Sequence, residues 1–232
     1  MLNRRVFQAV LPWLLATPRA RGATATSLQL VLAVDASGSV DMPRFELQRD
    51  GYAAAFRHPA VRAAIRGTPT GSIAVTVMQW TGPVLQNVVV DWTLIDGDVA
   101  ADRLATSIDQ APRTLFGGGT SISGAIDVGA TLFPHSPYAA ERRVIDISGD
   151  GRNNRGRPSE DARDQAVAAG IVINGLPILA LEPDLDSFYR DHVIGGPGTF
   201  LVTAHRFEDF AQAIRSKLVT EIAGLPGPTP IL

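Results

Sequence analysis

Apolar runs alternate along the chain with segments of helical periodicity. Residues Leu28 to Val34 are apolar except for Gln29, which predicts a central strand covered on both faces. Similar patterns predict further strands at Ile73–Trp80, Val84–Trp92, Val144–Ser148, Ile171–Leu176 and Thr199–Thr203. Between the strands, the spacing of apolar residues predicts helices at Pro43–Arg57, Asp98–Gln110, Ser121–Phe133, Glu160–Ala169 and Phe207–Ile222.

This alternation predicts an α/β fold, doubly wound, with helices on both faces of a mainly parallel six-stranded sheet. Only Thr81-Gly82-Pro83 separates the second and third strands, so these two should form a hairpin with one antiparallel strand at an edge. Ligand sites in such sheets lie beyond the carboxyl ends of the strands, where the direction of winding switches. The residues that follow the first and fourth strands are therefore the first candidates for a site.

The N-terminal segment has the order of a secretory signal peptide. Arg4 and Arg5 precede the short apolar stretch Val6–Ala16, and the small residues of Ala23-Thr24-Ala25 follow. The apolar stretch is too short to span a bilayer, which takes about 20 residues. We therefore predict a signal peptide at residues 1–25, with an N-terminal helix of the domain as the alternative. The segment Asn3–Phe7 partly matches a twin-arginine signal.

Composition and net charge favour an acidic globular protein over one that binds nucleic acid. Apolar residues make up 45% and charged residues 19% of the 232 residues, a globular balance, with a net charge of −2 and no cysteine. Cleavage after residue 25 would leave 17 basic against 23 acidic side chains, a net charge of −6. The expectation is an exported periplasmic or secreted protein with no nucleic-acid partner and no membrane span in the mature chain. The domain should cover 26–223, and the tail 224–232, rich in proline and glycine, should be flexible.

Oxygen-bearing side chains follow the strand ends. Asp35, Ser37 and Ser39 come directly after the first strand, and Asp150 follows the fourth strand. Thr120 stands between them in sequence, after the three glycines 117–119. These five side chains offer oxygen atoms, which are hard ligands and suit Mg²⁺ or Mn²⁺ rather than Zn²⁺ or Cu²⁺.

Together these residues resemble the metal-ion-dependent adhesion site of von Willebrand factor type A domains, and the resemblance extends from Leu28 to Ile222. Segments 147–154 and 173–178 further resemble an uncharacterised bacterial branch of exported type A domains. The resemblance implies that Ser37, Ser39 and Thr120 bind Mg²⁺ (or Mn²⁺) through their hydroxyls. It also implies that an Asp or Glu carboxylate of a partner protein completes the coordination. In one departure, Gly149 replaces the Thr or Ser that the family has before the last aspartate.

Two alternatives to a metal-dependent binding module stay open: a degenerate structural domain without metal, and a hydrolase. Segment 119–123 superficially resembles the nucleophile loop of subtilisin-like proteases, with Asp35 and His58 in the corresponding order. The spacing between Asp35 and Ser121 is short for that family. A phosphohydrolase with Asp35 as nucleophile would have a second aspartate where Ser37 stands. The sequence thus predicts no catalytic residue, and the protein is expected not to be an enzyme.

Other polar residues have structural interpretations. Asp41 is predicted to cap the first helix, and Ser121 and Ser123 to begin a later one. Asp146 lies within an apolar strand and needs a partner, for which Arg142 or Arg143 are the nearby choices. The segment 151–157 holds three arginines and is interpreted as a solvated loop, with a contact surface for an acidic partner as the alternative. Trp80 and Phe116 either border the site or pack in the core.

Overall fold

We describe the fold from a computed structural model, in which residues 22–225 and 227 are described. Strands occupy β1 Thr24–Ala25, β2 Leu28–Asp35, β3 Ile73–Trp80, β4 Gln86–Ile95, β5 Tyr138–Ala139, β6 Arg142–Gly149 and β7 Val172–Pro177. Helices occupy α1 Met42–Arg57, α2 Pro59–Arg66, α3 Asp98–Gln110, α4 Ile122–Leu132, α5 Ser159–Ala168, α6 Leu185–His192 and α7 Phe210–Ala223. The predicted signal sequence up to residue 21, residue 226 and the tail residues 228–232 lie outside this range.

The main sheet has the strand order β4-β3-β2-β6-β7. Strands β3, β2, β6 and β7 run parallel, and β4 pairs antiparallel with β3 at one edge, which confirms the predicted hairpin. All eight residues of β2 are buried, as its apolar run predicts for the central strand of a sheet covered on both faces. The two residues of β1 pair separately with β5.

Alternate residues of β2 contribute to two cores. Leu28, Leu30 and Leu32 belong to the larger core, which α1, α3 and α7 cover. Val31 and Ala33 face the opposite side and pack with residues of α4, α5 and α6. The period of two along the strand therefore produces the helix–sheet–helix layering that the sequence predicts.

Two predicted helix caps are confirmed. The Asp41 carboxylate accepts a hydrogen bond from Arg44 N–H at 2.9 Å, and Pro43 occupies the first turn of α1. The Ser121 hydroxyl accepts from Gly124 N–H at 3.1 Å at the start of α4. Both caps fix the first turns of helices that begin beside the strand ends carrying the candidate ligands.

The predicted strand count is wrong: within the described residues the main sheet has five strands rather than six. Segment 199–203 forms only an isolated parallel bridge between Leu201 and Gly175. The Asn174 side chain accepts from Phe200 N–H at 2.9 Å, and the Thr199 hydroxyl donates to Ile173 O at 2.5 Å. These side-chain bonds replace backbone bonds of a regular ladder.

The partner predicted for Asp146 is also wrong. Its carboxylate lies 2.8 Å from Lys217 Nζ of α7, and both side chains are fully buried. Arg142 lies on the same face of β6 but four residues away, about 13 Å along the strand, which puts Asp146 beyond a direct ion pair. Arg142 instead donates to the Glu221 carbonyl at 2.5 Å, and Arg143 donates to the Ala169 carbonyl.

Every helix among the described residues is too short or too polar to cross a bilayer.

Candidate metal centre

The predicted ligands lie at the carboxyl ends of two adjacent strands. Strands β2 and β6 are neighbours, with Val34 level with Ser148, so Asp35 and Asp150 leave the sheet side by side. From β2 the chain crosses to β3 on one side, while β6 continues to β7 on the other. The centre therefore occupies the switch point where α/β sheets bind their ligands.

Hydrogen bonds connect four of the five predicted ligands. The Asp35 carboxylate accepts from Ser37 N–H at 2.7 Å, which closes a tight turn after β2. The hydroxyls of Ser37 and Ser39 lie 3.1 Å apart, and Ser39 donates to the Asp150 carboxylate at 2.6 Å. The structure thus brings the two aspartates and the two serines into one polar cluster, with Asp35, Ser37 and Asp150 almost fully buried.

Thr120 reaches the same place from the glycine-rich loop. Its N–H donates to the Asn154 side-chain oxygen at 2.9 Å, and its carbonyl accepts from the N–H groups of Asn154 and Arg155. Its hydroxyl lies 3.7 Å from where a Cβ on Gly151 would be, next to the turn that follows Asp150. The three preceding glycines all have φ between 73° and 94°, a region that other residues rarely adopt.

Two carboxylate oxygens in this cluster have no hydrogen-bond partner among the described residues: Asp35 Oδ2 and Asp150 Oδ2, both inaccessible to solvent. Burial, and next the charge of Asp150, raises the pKa of Asp35 from its ordinary 3.8 to about 7. Burial also raises the pKa of Asp150, against the lowering effect of the hydrogen bond from Ser39. A buried carboxylate oxygen without a partner is costly, and a bound cation removes that cost for both residues.

The donor set fits a hard divalent cation. Two carboxylates and three hydroxyls converge, and these are the oxygen ligands that Mg²⁺ and Mn²⁺ accept. Within the described part of the chain, no three His, Asp or Glu side chains group as a metal site. The ligand set therefore depends on the hydroxyls of Ser37, Ser39 and Thr120.

Sequence reasoning missed one residue beside the centre, Tyr189, which lies there together with Trp80. A Cβ on Gly149 would lie 3.0 Å from both Asp35 Oδ2 and the Tyr189 hydroxyl, and 3.1 Å from Trp80 Cζ2. Tyr189 and Trp80 are fully buried, so they occupy the room that a Ser or Thr side chain would need here. Trp80 thus both packs in the core and borders the site. Tyr189 belongs to α6, a helix that the sequence reading did not identify.

The geometry separates the residues of the protease alternative. His58 caps the far end of α1, where its Nδ1 accepts from Ala60 N–H at 3.1 Å. Since α1 has 16 residues, about 24 Å of helix lies between His58 and the metal-centre end of the domain. The Ser121 hydroxyl is engaged as the cap of α4. Asp35, His58 and Ser121 therefore do not form a triad.

The fold is that of a von Willebrand factor type A-like protein, which confirms the resemblance seen in the sequence. The chain belongs to the family described as "Protein of unknown function (DUF1194)", which matches residues 25–226. No curated protein sequence matches it significantly.

Solved structures share this fold at low sequence identity. Proximal thread matrix protein 1 of the mussel byssus superposes with a TM-score of 0.63 at 13% identity, over 86% of this chain and 49% of that one. The pilus adhesin SpaC of Lactobacillus rhamnosus GG gives 0.62 at 14%, over 85% and 31%. A von Willebrand factor type A protein of Catenulispora acidiphila gives 0.54 at 15%, over 85% and 43%. The chain thus spans half or less of the length of these proteins. One form of the mussel protein, with a TM-score of 0.60 at 13% identity over 86% and 48%, has a zinc-occupied metal-ion-dependent adhesion site.

Proposed function

We propose that this protein is an exported, non-enzymatic protein-binding module. Asp35, Ser37, Ser39, Thr120 and Asp150 would hold one Mg²⁺ or Mn²⁺, and an Asp or Glu carboxylate of the partner would be the last ligand. An ion held in this way supplies an open coordination position with net attraction for an anion.

The observation that carries the proposal is the pair of buried carboxylate oxygens without partners, Asp35 Oδ2 and Asp150 Oδ2. They belong to a cluster whose hydroxyls come from two segments, the turn after β2 and the glycine-rich loop, and no described cationic side chain forms an ion pair with either aspartate. A purely structural domain gains nothing from burying two such groups at one edge of its sheet.

Within the site, each residue has a distinct part. Asp35 Oδ1 already accepts from Ser37 N–H, so the backbone turn holds this carboxylate in place and leaves Oδ2 for the ion or for its bound water. The neutral hydroxyls contribute no charge, so part of the positive charge stays available to a partner carboxylate. Asn154 holds the backbone of Thr120 and thereby its hydroxyl.

The comparisons support the class of function. A pilus adhesin and a byssus thread matrix protein share the fold, and one form of the latter holds a metal at the corresponding kind of site. Export rests on the N-terminal pattern alone. N-terminal sequencing of the protein from its native host should begin near Thr26, and an intact Met1 in a cytoplasmic fraction would contradict export.

Calorimetric titration with Mg²⁺, Mn²⁺ and Zn²⁺, together with thermal melting, tests the metal site. An ion at about 100 times its dissociation constant stabilises the fold by about 2.7 kcal/mol. For a domain of this size that corresponds to a rise in melting temperature of roughly 5–10 °C. Asp35→Asn should abolish the rise, and Thr120→Ala should reduce it less because water can replace one neutral ligand.

Asp96→Asn is the matched control. Asp96 is exposed and follows β4, whose last residue Ile95 pairs with Ile73 at the opposite edge of the sheet. This variant should retain the full metal-induced rise. Capture of a partner from envelope extract, with and without chelator, then tests the binding function. If no ion binds with or without the captured partner, the degenerate structural domain is the correct reading.

A further inference from the structure

Two of the loops that carry the ligands are contacted by arginines that form no ion pair among the described residues: Arg44 and Arg113 contact the turn after β2, and Arg155 contacts the glycine-rich loop. Arg44 Nη1 donates to the carbonyl of Ser39 at 2.7 Å. Arg113 Nη2 donates to the carbonyls of Ala36 and Ser37 at 2.9 and 3.0 Å. The third arginine, Arg155, lies over the glycine-rich loop.

Arg155 belongs to the loop that follows Asp150. Its backbone N–H donates to Thr120 O, and its side chain passes so close to Gly119 that a Cβ there would lie 2.6 Å from Arg155 Cγ. The residue is exposed. Within residues 22–225 its guanidinium donates no hydrogen bond and lies within 4 Å of no carboxylate. We call Arg44, Arg113 and Arg155 the arginine rim.

Arg155 differs from the other two arginines of its loop, which both have acidic partners. Arg152 pairs with Glu182 and Asp184, and Arg157 pairs with Asp127. Glu182 is the acidic residue beside Gly151, and Arg152 already engages it. The three rim arginines form no ion pair with any residue that the structure describes.

The rim guanidiniums also keep donors free. An arginine carries five N–H donors. Among the described residues, Arg44 uses one of them, and Arg113 uses those on Nε and Nη2. Arg113 is further held at 4.9 Å over the exposed ring of Phe116, which leaves its Nη1 group for a ligand. The fold therefore holds the rim arginines in place, and their guanidiniums keep N–H donors free for a ligand.

Charge balance indicates what fits there. A divalent cation would neutralise Asp35 and Asp150. Arg152 with its partners Glu182 and Asp184 adds one negative charge at this end, which the three rim charges outweigh, so a net positive charge would remain near the metal. The chain as a whole carries a net charge of −2, which makes this end an exception to the overall balance. A single partner carboxylate would complete the coordination of the ion but leave the three rim arginines without acidic partners.

We propose that the partner segment is acidic on both sides of the carboxylate that the metal binds, with its flanking carboxylates paired to Arg44, Arg113 and Arg155. This inference rests on the proposed metal-dependent function and adds the charge pattern of the ligand. Guanidinium groups pair with carboxylates through two parallel hydrogen bonds, which gives the rim a directional preference for such groups.

Two labelled synthetic peptides test this by fluorescence anisotropy in Mg²⁺ and in chelator. One contains a single glutamate among glycine and serine, and the other has aspartates on both sides of that glutamate. In Mg²⁺ we expect the acidic peptide to bind about tenfold more tightly than the single-glutamate peptide. The advantage should shrink with added salt, because the Debye length is about 8 Å at physiological ionic strength.

The variant Arg155→Gln should weaken binding of the acidic peptide about threefold, the range of an exposed ion pair, and leave the single-glutamate peptide unchanged. Arg103→Gln is the matched control, since Arg103 is exposed on α3 and contacts none of the three loops through its side chain. It should change neither affinity.

The outcomes separate the two proposals. If neither peptide depends on Mg²⁺, the metal-dependent function fails, and the rim inference fails with it. If both peptides bind in Mg²⁺ with equal affinity, or Arg155→Gln has no effect, only the rim inference fails. A short oligonucleotide that competes better than the acidic peptide would show a general polyanion surface and would also overturn the inference.

Discussion

Adding one methyl group at Gly149 should destabilise the protein. Gly149 does not have a positive φ, so Gly149→Ala carries no backbone strain, and its effect comes from packing. The new Cβ would lie 3.0 Å from the Tyr189 hydroxyl and 3.1 Å from Trp80 Cζ2. Both side chains are fully buried, and protein interiors are close-packed, so a shift of either ring disturbs its neighbours.

The expected magnitude follows from two opposing terms. Overpacking a well-packed core costs about 1–3 kcal/mol. Replacement of glycine by alanine stabilises by about 0.4–1 kcal/mol through the unfolded chain. The net loss in free energy of unfolding therefore lies below about 2.6 kcal/mol, with a midpoint of about 1.3 kcal/mol, which lowers the melting temperature of a domain of this size by roughly 3–5 °C.

Urea and thermal unfolding in chelator measure this loss without a contribution from metal. Gly67→Ala is the control, because its Cβ would meet ordinary contacts at 3.4 and 3.5 Å and its φ is −76°. That variant should be as stable as the wild type or slightly more so. Adding Tyr189→Phe to Gly149→Ala removes one of the close contacts and should recover part of the loss. The reasoning is refuted if Gly149→Ala alone unfolds at the wild-type urea concentration.

Three other changes have expected outcomes. Lys217→Met leaves Asp146 buried without its cation and should cost about 3–5 kcal/mol in urea unfolding; a loss below 1 kcal/mol would show that the ion pair is dispensable. Asp41→Ala removes the cap of α1 and should cost about 1 kcal/mol in the same assay, whereas an unchanged midpoint would mean that water replaces the cap. Asn154→Ala frees the backbone of Thr120 and should weaken Mg²⁺ binding in calorimetry more than it lowers metal-free stability; equal affinity would argue against a role for Thr120.

Local patterns were sufficient for the elements with strong periodicity. The predicted bounds of β3 and α3 are those of the structure, because eight buried residues and a regular apolar stripe identify them. Helices α2 and α6 were missed, since each has only eight residues, about two turns, which is too short to show a clear period. The extra strand at 199–203 was predicted from apolar composition, which does not reveal that Asn174 takes the backbone N–H of Phe200.

For the candidate site, too, the sequence predicted one part, the ligands, and did not reveal the other part, the residues around them. Its predicted ligands follow strand ends, and the chain order alone places strand ends of a parallel sheet at one edge. The residues that surround them come from distant segments. Arg113 contacts Ser37 across 76 positions of sequence, and Tyr189 approaches Gly149 from α6. Contacts of this kind depend on how helices pack on the sheet, and no local pattern encodes them.

The first and last elements of the described domain, β1 and the end of α7, lie at the end of the sheet opposite the candidate metal centre. Strand β1 pairs with β5 just before β6 begins, and the last carbonyls of α7 accept hydrogen bonds from Arg142, the first residue of β6. An attachment through either end, to a surface or to a larger assembly, would therefore leave the end of the sheet that carries Asp35 and Asp150 facing away from the attachment. A load applied between such an anchor and the carboxyl ends of β2 and β6 would run along these strands, so the hydrogen bonds between them would be loaded together rather than one by one.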